Sequence, residues 1–189
     1  MNKDRPPSLG ETNIYFGSPL KRWMAPELVK PTNKVCDPYI KKAKTLTKIA
    51  IKERNKLYKR DLKDFGMSHH SSTLIREPKL EELRKMIIEQ SCRFIEDTGF
   101  NIDNHRVFFR DLWVQEFATK GGHHIPHLHP NTHVGGFFFL KCSDNTSMPV
   151  FYDPRPGALM NRLPERNFNN IDPASYAFHF KPAVGQFIM

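Results

Sequence analysis

The sequence predicts a mainly β protein in which two helices precede a run of short strands. Residues 38–62 and 79–97 repeat apolar side chains at helical spacing, whereas the apolar period changes to two from residue 106 onward. Turn residues separate the strand candidates that follow. Helices followed by many short strands are typical of a sandwich or a barrel.

The length and the composition fit one domain of ordinary size. The chain has 189 residues, of which 15 are Phe, so it can bury a core. It contains no run of about 18 apolar residues, so no membrane span is expected. Its first ten residues lack the apolar stretch of a signal peptide. The three cysteines have no Cys-x-x-Cys spacing, which favours a reducing, cytoplasmic environment over a disulfide framework.

The first helix is expected at about 38–62. Asp37 is a suitable N-cap, and Pro38 fits the first helical position because that position needs no N–H donor. The helix is expected to bury a stripe of apolar side chains, namely Ile40, Ala43, Leu46, Ala50 and Leu57. Before it, residues 14–20 are typical of a short edge strand that ends near Pro19.

The second helix is expected at about 79–97. Pro78 marks its start, and Gly99 can close it. A loop and a short strand are expected between the two helices. The strand candidates begin with the alternating segment 106–118 and continue at 134–141, 149–152, 175–180 and 185–189.

The positive charge lies almost entirely in the N-terminal part. Residues 1–78 carry 17 Lys and Arg against 8 Asp and Glu, whereas residues 79–189 are neutral. Between residues 41 and 63, ten basic side chains are opposed by two acidic ones. This stretch is either a solvated helix face or a surface for an acidic or nucleic-acid partner. We therefore divide the chain into a basic strand and helix extension, residues 1–64, and a second unit, residues 65–189.

The densest chemical feature is a group of histidines. Five of the nine lie within eleven residues: His123, His124, His127, His129 and His133. Imidazole is the commonest metal ligand at neutral pH. Pro126 and Pro130 exclude a helix here, and in an extended chain side chains two residues apart point to the same side. His127 and His129 are therefore a candidate pair of metal ligands, expected at the end of a strand.

The segment HLHPNTHVGGFFFLK, followed by MPVFYDPRPG, resembles the putative 2-oxoglutarate/Fe(II)-dependent oxygenase family common in phages and marine bacteria. That family has approximately H-x-H-x-N, then S-G-x-Y-Y-L, then F-x-D-P-R. The resemblance covers residues 106–189 well and the preceding residues loosely. It implies an Fe(II)-binding double-stranded β-helix, a jelly-roll or cupin-like barrel, within residues 65–189. It also implies a hydroxylase-type dioxygenase that uses 2-oxoglutarate and O2, in the cytoplasm of the host cell if the gene is phage-encoded.

The resemblance suggests roles for four residues. His127 and His129 would bind the metal, and Asn131 and Arg155 would hold 2-oxoglutarate. Two of these roles have simple structural alternatives, because Asn131 follows a proline at a turn and Arg155 can pair locally with Asp153. The usual ligand pair of such oxygenases is His-x-Asp/Glu. Either His129 replaces the carboxylate here, or only one member of the pair binds.

The end of the sequence adds an expectation about completeness. KPAVGQFIM resembles the turn and strand that lead to the family's third ligand, a histidine, and then to an arginine that binds 2-oxoglutarate. Both are expected beyond Met189. The sequence therefore predicts a truncated chain that lacks its C-terminal strands and has weak activity.

Two other classes of function stay open at the level of sequence. A cupin-like metal protein of another reaction class fits the spacing from Gly121 to His127 and His129, with His133 where such proteins have Glu. A barrel without a working site, acting as a phage structural or interaction module, would use the basic helix as its contact surface.

Overall fold

The computed structural model describes residues 17–64, 66–155, 163–167 and 169–189. These contain two α-helices, α1 (Val29–Tyr58) and α2 (Glu81–Asp97). The strands are β1 (Arg22–Met24), β2 (Ser68–His70), β3 (Gln115–Phe117), β4 (Phe137–Phe138), β5 (Val150–Tyr152), β6 (Ala177–His179) and β7 (Gln186–Ile188). The strands form three separate sheets in the orders β1-β7-β4, β2-β3 and β5-β6, and all pairs are antiparallel.

The prediction of two helices with short strands is confirmed, whereas the predicted mainly β content is not found in the described residues. Two helices and small antiparallel sheets are present, and most strands follow the helices. Each strand has only two or three residues, so the described part holds more helix than strand. No closed barrel is formed by the residues that the structure describes. No helix in this part has the length and apolar character needed to cross a membrane.

Helix α1 begins earlier than the capping pattern predicts. It starts at Val29, and Pro38 lies inside it instead of at its first turn. The two helical turns before Pro38 bury Thr32 and Cys36. The free energy gained by this burial outweighs the cost of the hydrogen bond that a proline removes from the helix interior. Burial raises the pKa of the Cys36 thiol to about 11. Helix α2 agrees with its prediction, because it follows a short 3₁₀ turn that begins at Pro78.

The predicted apolar stripe of α1 is buried only in its first half. Ile40 and Ala43 are buried, but Leu46 is 57% exposed and Leu57 is 72% exposed. Ala50 is also exposed. The recorded side-chain contacts between α1 and other elements lie in its first half and near its middle, up to Thr47. The prediction for the second half of the stripe is therefore wrong.

The core lies between α1, the start of α2 and the three-stranded sheet. In that sheet Trp23, Phe187 and Phe138 occupy one row of the register. Their rings stack at centroid distances of 4.7 Å and 3.9 Å, with Phe187 in the middle. Strand β1 belongs to the predicted extension and β7 to the predicted second unit, so the two parts share one sheet. The predicted boundary at residue 64 stays a prediction.

Some predicted strand positions match and others do not. The candidates at 134–141, 149–152, 175–180 and 185–189 each contain a short observed strand. Within the alternating segment 106–118, only Gln115–Phe117 forms a strand. Residues 14–16 of the predicted strand at 14–20 lie outside the described residues, residues 17–20 are not in a strand, and β1 lies just after them.

Candidate metal site in the histidine loop

The two-stranded sheet β2-β3 lies between helix α1 and the histidine loop, by which we mean residues 121–133. In this sheet His69 pairs with Glu116 and His70 pairs with Gln115. Directly paired residues share a face of the sheet, and neighbouring residues alternate between the faces. His69 lies on the α1 side, where its Nδ1 atom is 3.2 Å from Thr47 Oγ1. Glu116 lies on the same side and forms an ion pair with Lys44 of α1.

The opposite face of β3 contacts the histidine loop through two aromatic rings. Phe117 meets His124 edge-on at a centroid distance of 6.3 Å. Trp113, two residues before the strand, contacts His129 at 5.8 Å. His70 stacks on Trp113 at 5.1 Å. The loop therefore runs along this face, with His124 near Phe117 and His129 near Trp113.

The structure brings the predicted ligand pair together. The ring centroids of His127 and His129 are 5.0 Å apart, at an interplanar angle of 68°. The ring of His124 is 5.1 Å from that of His127. The segment is not helical, as predicted, but it belongs to an irregular loop and not to the end of a strand. The three imidazoles are exposed, so ions and small molecules can reach them from solvent.

A hydrogen bond fixes the tautomer of His127. Its Nδ1 atom is 2.8 Å from the carbonyl oxygen of Ile125. A carbonyl oxygen only accepts hydrogen bonds, so Nδ1 carries the proton and donates it. The lone pair of the neutral ring is then on Nε2, which is free to bind a metal. A backbone carbonyl that fixes the tautomer in this way is a common partner of metal-binding histidines.

The environment favours the neutral form of His124. Partial burial lowers the pKa of His124, and the adjacent His127 lowers it further. More distant histidines, including His70, act in the same direction. Metals bind the neutral form of histidine, so His124 is the member of the loop whose surroundings favour a binding-competent ring.

The geometry of the pair fits a single transition-metal ion. Two imidazoles that bind one ion with metal–nitrogen distances of about 2.1 Å place their ring centres about 5 Å apart when the two bonds are roughly perpendicular. The observed separation of 5.0 Å agrees with this value. Within the described ranges, no group of three or more His, Cys, Asp and Glu residues is arranged to hold a metal ion. The described residues thus bring together a candidate pair and not a complete set of ligands.

Asn131 occupies a turn in the loop. Its φ angle is 56°, in the left-handed region that Asn tolerates better than most residues. The guanidinium of Arg110 donates hydrogen bonds to the carbonyl oxygens of Pro130 and Asn131, at 3.0 Å and 3.2 Å. The turn geometry therefore accounts for an asparagine here without a bound ligand, and a role toward 2-oxoglutarate stays a prediction.

Arg155 is held by a local ion pair in the third sheet region. Its Nε and Nη2 atoms bind both carboxylate oxygens of Asp153, and Nη2 also donates to the carbonyl of Pro173 at 2.9 Å. The Asp153 side chain is 8% exposed. The Arg155 side chain and backbone N–H together lower the pKa of Asp153 to about 2. No contact between Arg155 and the histidine loop is recorded for the residues that the structure describes.

The lowered pKa of Asp153 predicts an acid-dependent loss of stability. The charged carboxylate stabilises the fold above its ordinary pKa of 3.8, and this contribution is lost as the pH falls through about 2. Asp153→Asn should lower the urea midpoint at pH 7 and show less additional loss between pH 4 and pH 2 than the parent. The exposed Asp144→Asn should keep the parent's pH profile. Parallel profiles of the parent and Asp153→Asn would contradict this role of the ion pair.

Two residues on this face of the β2-β3 sheet escaped the sequence-based prediction, Gln115 and His70. The alternation of DLWVQEF predicts Trp113 and Phe117 on one side of the segment, and the same signal could have added Gln115. His70 gave no such signal, because it reaches the site only through the pairing of β2 with β3.

An exposed pair of imidazoles beside aromatic rings is the kind of site that binds a divalent transition metal. Residues 111–189, which include the pair, match the family described as "Putative 2OG-Fe(II) oxygenase". This stretch is therefore similar to a 2OG-Fe(II) oxygenase domain, and that family implies a general oxygenase function with Fe(II) and 2-oxoglutarate. A comparison with curated proteins gave no match.

Proposed function

We propose that the protein is a hydroxylase-type Fe(II)/2-oxoglutarate-dependent oxygenase in which His127 and His129 bind the iron. The observation that carries the proposal is the position of this imidazole pair within the matched domain. The fixed tautomer of His127 supports it, since the free Nε2 lone pair is available for a metal. A double-stranded β-helix within residues 65–189 is the fold that we propose for the domain, and the cytoplasm is its proposed location.

The proposed reaction balances with O2 as the oxidant. A C–H bond of the substrate, 2-oxoglutarate and O2 give the hydroxylated product, succinate and CO2, with one oxygen atom entering the hydroxyl group and the other entering succinate. Bound Fe(II) would supply open coordination positions for the 2-oxo acid and O2. The chain would contribute the two imidazoles that hold the ion and the rings of Trp113 and Phe117, which limit water on the inner side of the loop.

We also propose that Asn131 and Arg155 bind 2-oxoglutarate. Arg155 uses Nε and Nη2 for Asp153 and Pro173, and Nη1 makes no hydrogen bond within the described ranges. A guanidinium oriented in this way can present its remaining donors to a carboxylate. The Asn131 side chain is exposed on the turn that follows the ligand pair.

The exposed second half of α1 is the proposed contact for an acidic or nucleic-acid partner. Lys48, Lys52 and Lys56 are all exposed and are spaced by four residues, so they lie along one side of the helix. Lys44, one turn earlier, is already paired with Glu116. The charge pattern alone supports this proposal.

Succinate release tests the proposed function directly. The protein, loaded anaerobically with Fe(II) and then given 2-oxoglutarate and O2, should form succinate even without a hydroxylation substrate. Omission of Fe(II) should abolish the release. Metal binding without any succinate would instead favour a cupin-like protein of another class, and absence of metal binding would favour a non-enzymatic module.

A further inference from the structure

A buried polar atom of β3 lacks a hydrogen-bond partner among the described residues. The side-chain amide nitrogen of Gln115 is inaccessible to solvent, and it makes no hydrogen bond with any residue that the structure describes. Buried amide donors in folded proteins are almost always paired, because an unpaired donor destabilises the fold. Such a group therefore indicates a partner that the described residues do not supply.

The pairing of β3 places Gln115 on the same face as the histidine loop. Gln115 is opposite His70, and it lies between Trp113 and Phe117 in the alternation of the chain. Trp113 contacts His129, and Phe117 contacts His124. Gln115 thus shares the face of β3 that the histidine loop contacts, and along the chain it lies between the two residues whose rings touch His129 and His124.

The chemistry of the amide nitrogen limits what can pair with it. An NH2 group of glutamine only donates hydrogen bonds, so its partner must present an acceptor atom. A neutral donor whose nitrogen is shielded from water binds a charged oxygen more strongly than it would in solvent. A carboxylate beside the metal ligands meets both conditions.

We propose that Gln115 donates a hydrogen bond to a carboxylate oxygen of the 2-oxo acid that binds next to His127 and His129. The inference rests on the proposed function and deepens it, because it assigns a residue that recognises the co-substrate. Gln115 is then a binding residue for 2-oxoglutarate and not a metal ligand.

Two substitutions separate this role from a structural one. Gln115→Leu keeps much of the side-chain volume but removes the donor, and Gln115→Glu offers acceptors only and adds a negative charge. Glu116→Gln is the matched control, because it changes the next residue of β3, on the opposite face toward α1. Each variant is measured for anaerobic Fe(II) binding, for binding of 2-oxoglutarate to the Fe(II)-loaded protein, and for thermal stability without metal.

The proposal predicts a separation of the three readouts. Gln115→Leu should weaken 2-oxoglutarate binding about tenfold or more, as expected for the loss of a hydrogen bond to a charged group. Gln115→Glu should weaken it further. Fe(II) affinity should stay close to that of the parent, and the metal-free Gln115→Leu protein should melt at the same temperature or higher, because no unpaired donor remains. Glu116→Gln should leave 2-oxoglutarate binding unchanged.

Other outcomes would overturn the proposal. Unchanged 2-oxoglutarate binding by Gln115→Leu or Gln115→Glu would show that the donor is not used. A lower melting temperature of metal-free Gln115→Leu, together with equal losses of iron and 2-oxoglutarate, would show that Gln115 is structural. Failure of the parent itself to bind 2-oxoglutarate with iron present would remove the proposed function, and this failure is distinct because it does not depend on any substitution.

Discussion

Replacing His127 by alanine is expected to abolish Fe(II)-dependent succinate release and to weaken Fe(II) binding by about 100-fold or more. Loss of a group that merely orients a ligand already costs about 10–100-fold in metal affinity, and removal of the ligand itself should cost more. The structure singles out this residue because its Nδ1 proton is committed to the Ile125 carbonyl, which leaves Nε2 for the metal. Anaerobic equilibrium dialysis and a succinate assay would measure both effects.

His129→Ala should have a similar effect if both imidazoles bind the ion. The variant His129→Asp answers the question that the His-x-His pattern leaves open. If His129→Asp binds Fe(II) and His129→Ala does not, His129 occupies the position of the usual carboxylate. His105→Ala is the control, because His105 is exposed and lies outside both the loop and the matched domain. Parent-like Fe(II) binding by both alanine variants would refute the ligand assignment.

The local part of the site could be predicted from the sequence. The two-residue spacing of His127 and His129, together with the flanking prolines, is enough to place both rings on one side of an extended chain. The rings are indeed adjacent, at 5.0 Å. The rest of the site depends on pairing between distant segments. His70 reaches Trp113 only because β2 pairs with β3. The paired residues His70 and Gln115 are 45 positions apart in the sequence.

Helix α1 shows the same division between local and distant information. Asp37 and Pro38 form a good local start signal, yet the helix begins at Val29 because residues before Pro38 also bury side chains in the core. The predicted stripe was correct where other elements cover the helix and wrong where they do not. Periodicity identifies the apolar face of a helix, but the surrounding fold decides how much of that face is buried.

The largest effect on stability is expected at Phe187. Its side chain is 3% exposed, and its ring stacks between Trp23 and Phe138. Phe187→Ala should lower the free energy of unfolding by about 3–5 kcal/mol, since it removes a buried aromatic ring and leaves a cavity. This is a large share of the roughly 5–15 kcal/mol that stabilises an ordinary domain. Urea unfolding measures the change, and Phe108→Ala, at a residue that is 73% exposed, should shift it by less than about 0.5 kcal/mol.

The core around Phe187 also supports the site. Leu112 and Val114 pack against the same cluster, while the intervening Trp113 contacts His129. Successive side chains of this segment thus alternate between the core and the histidine loop. A milder change, Phe187→Leu, should therefore weaken Fe(II) binding slightly while the protein stays folded, because the segment that carries Trp113 loses part of its support. Equal unfolding free energies for Phe187→Ala and Phe108→Ala would contradict the central position of Phe187 in the core. If Phe187→Leu is destabilised but binds Fe(II) with the parent's affinity, the core does not support the metal site.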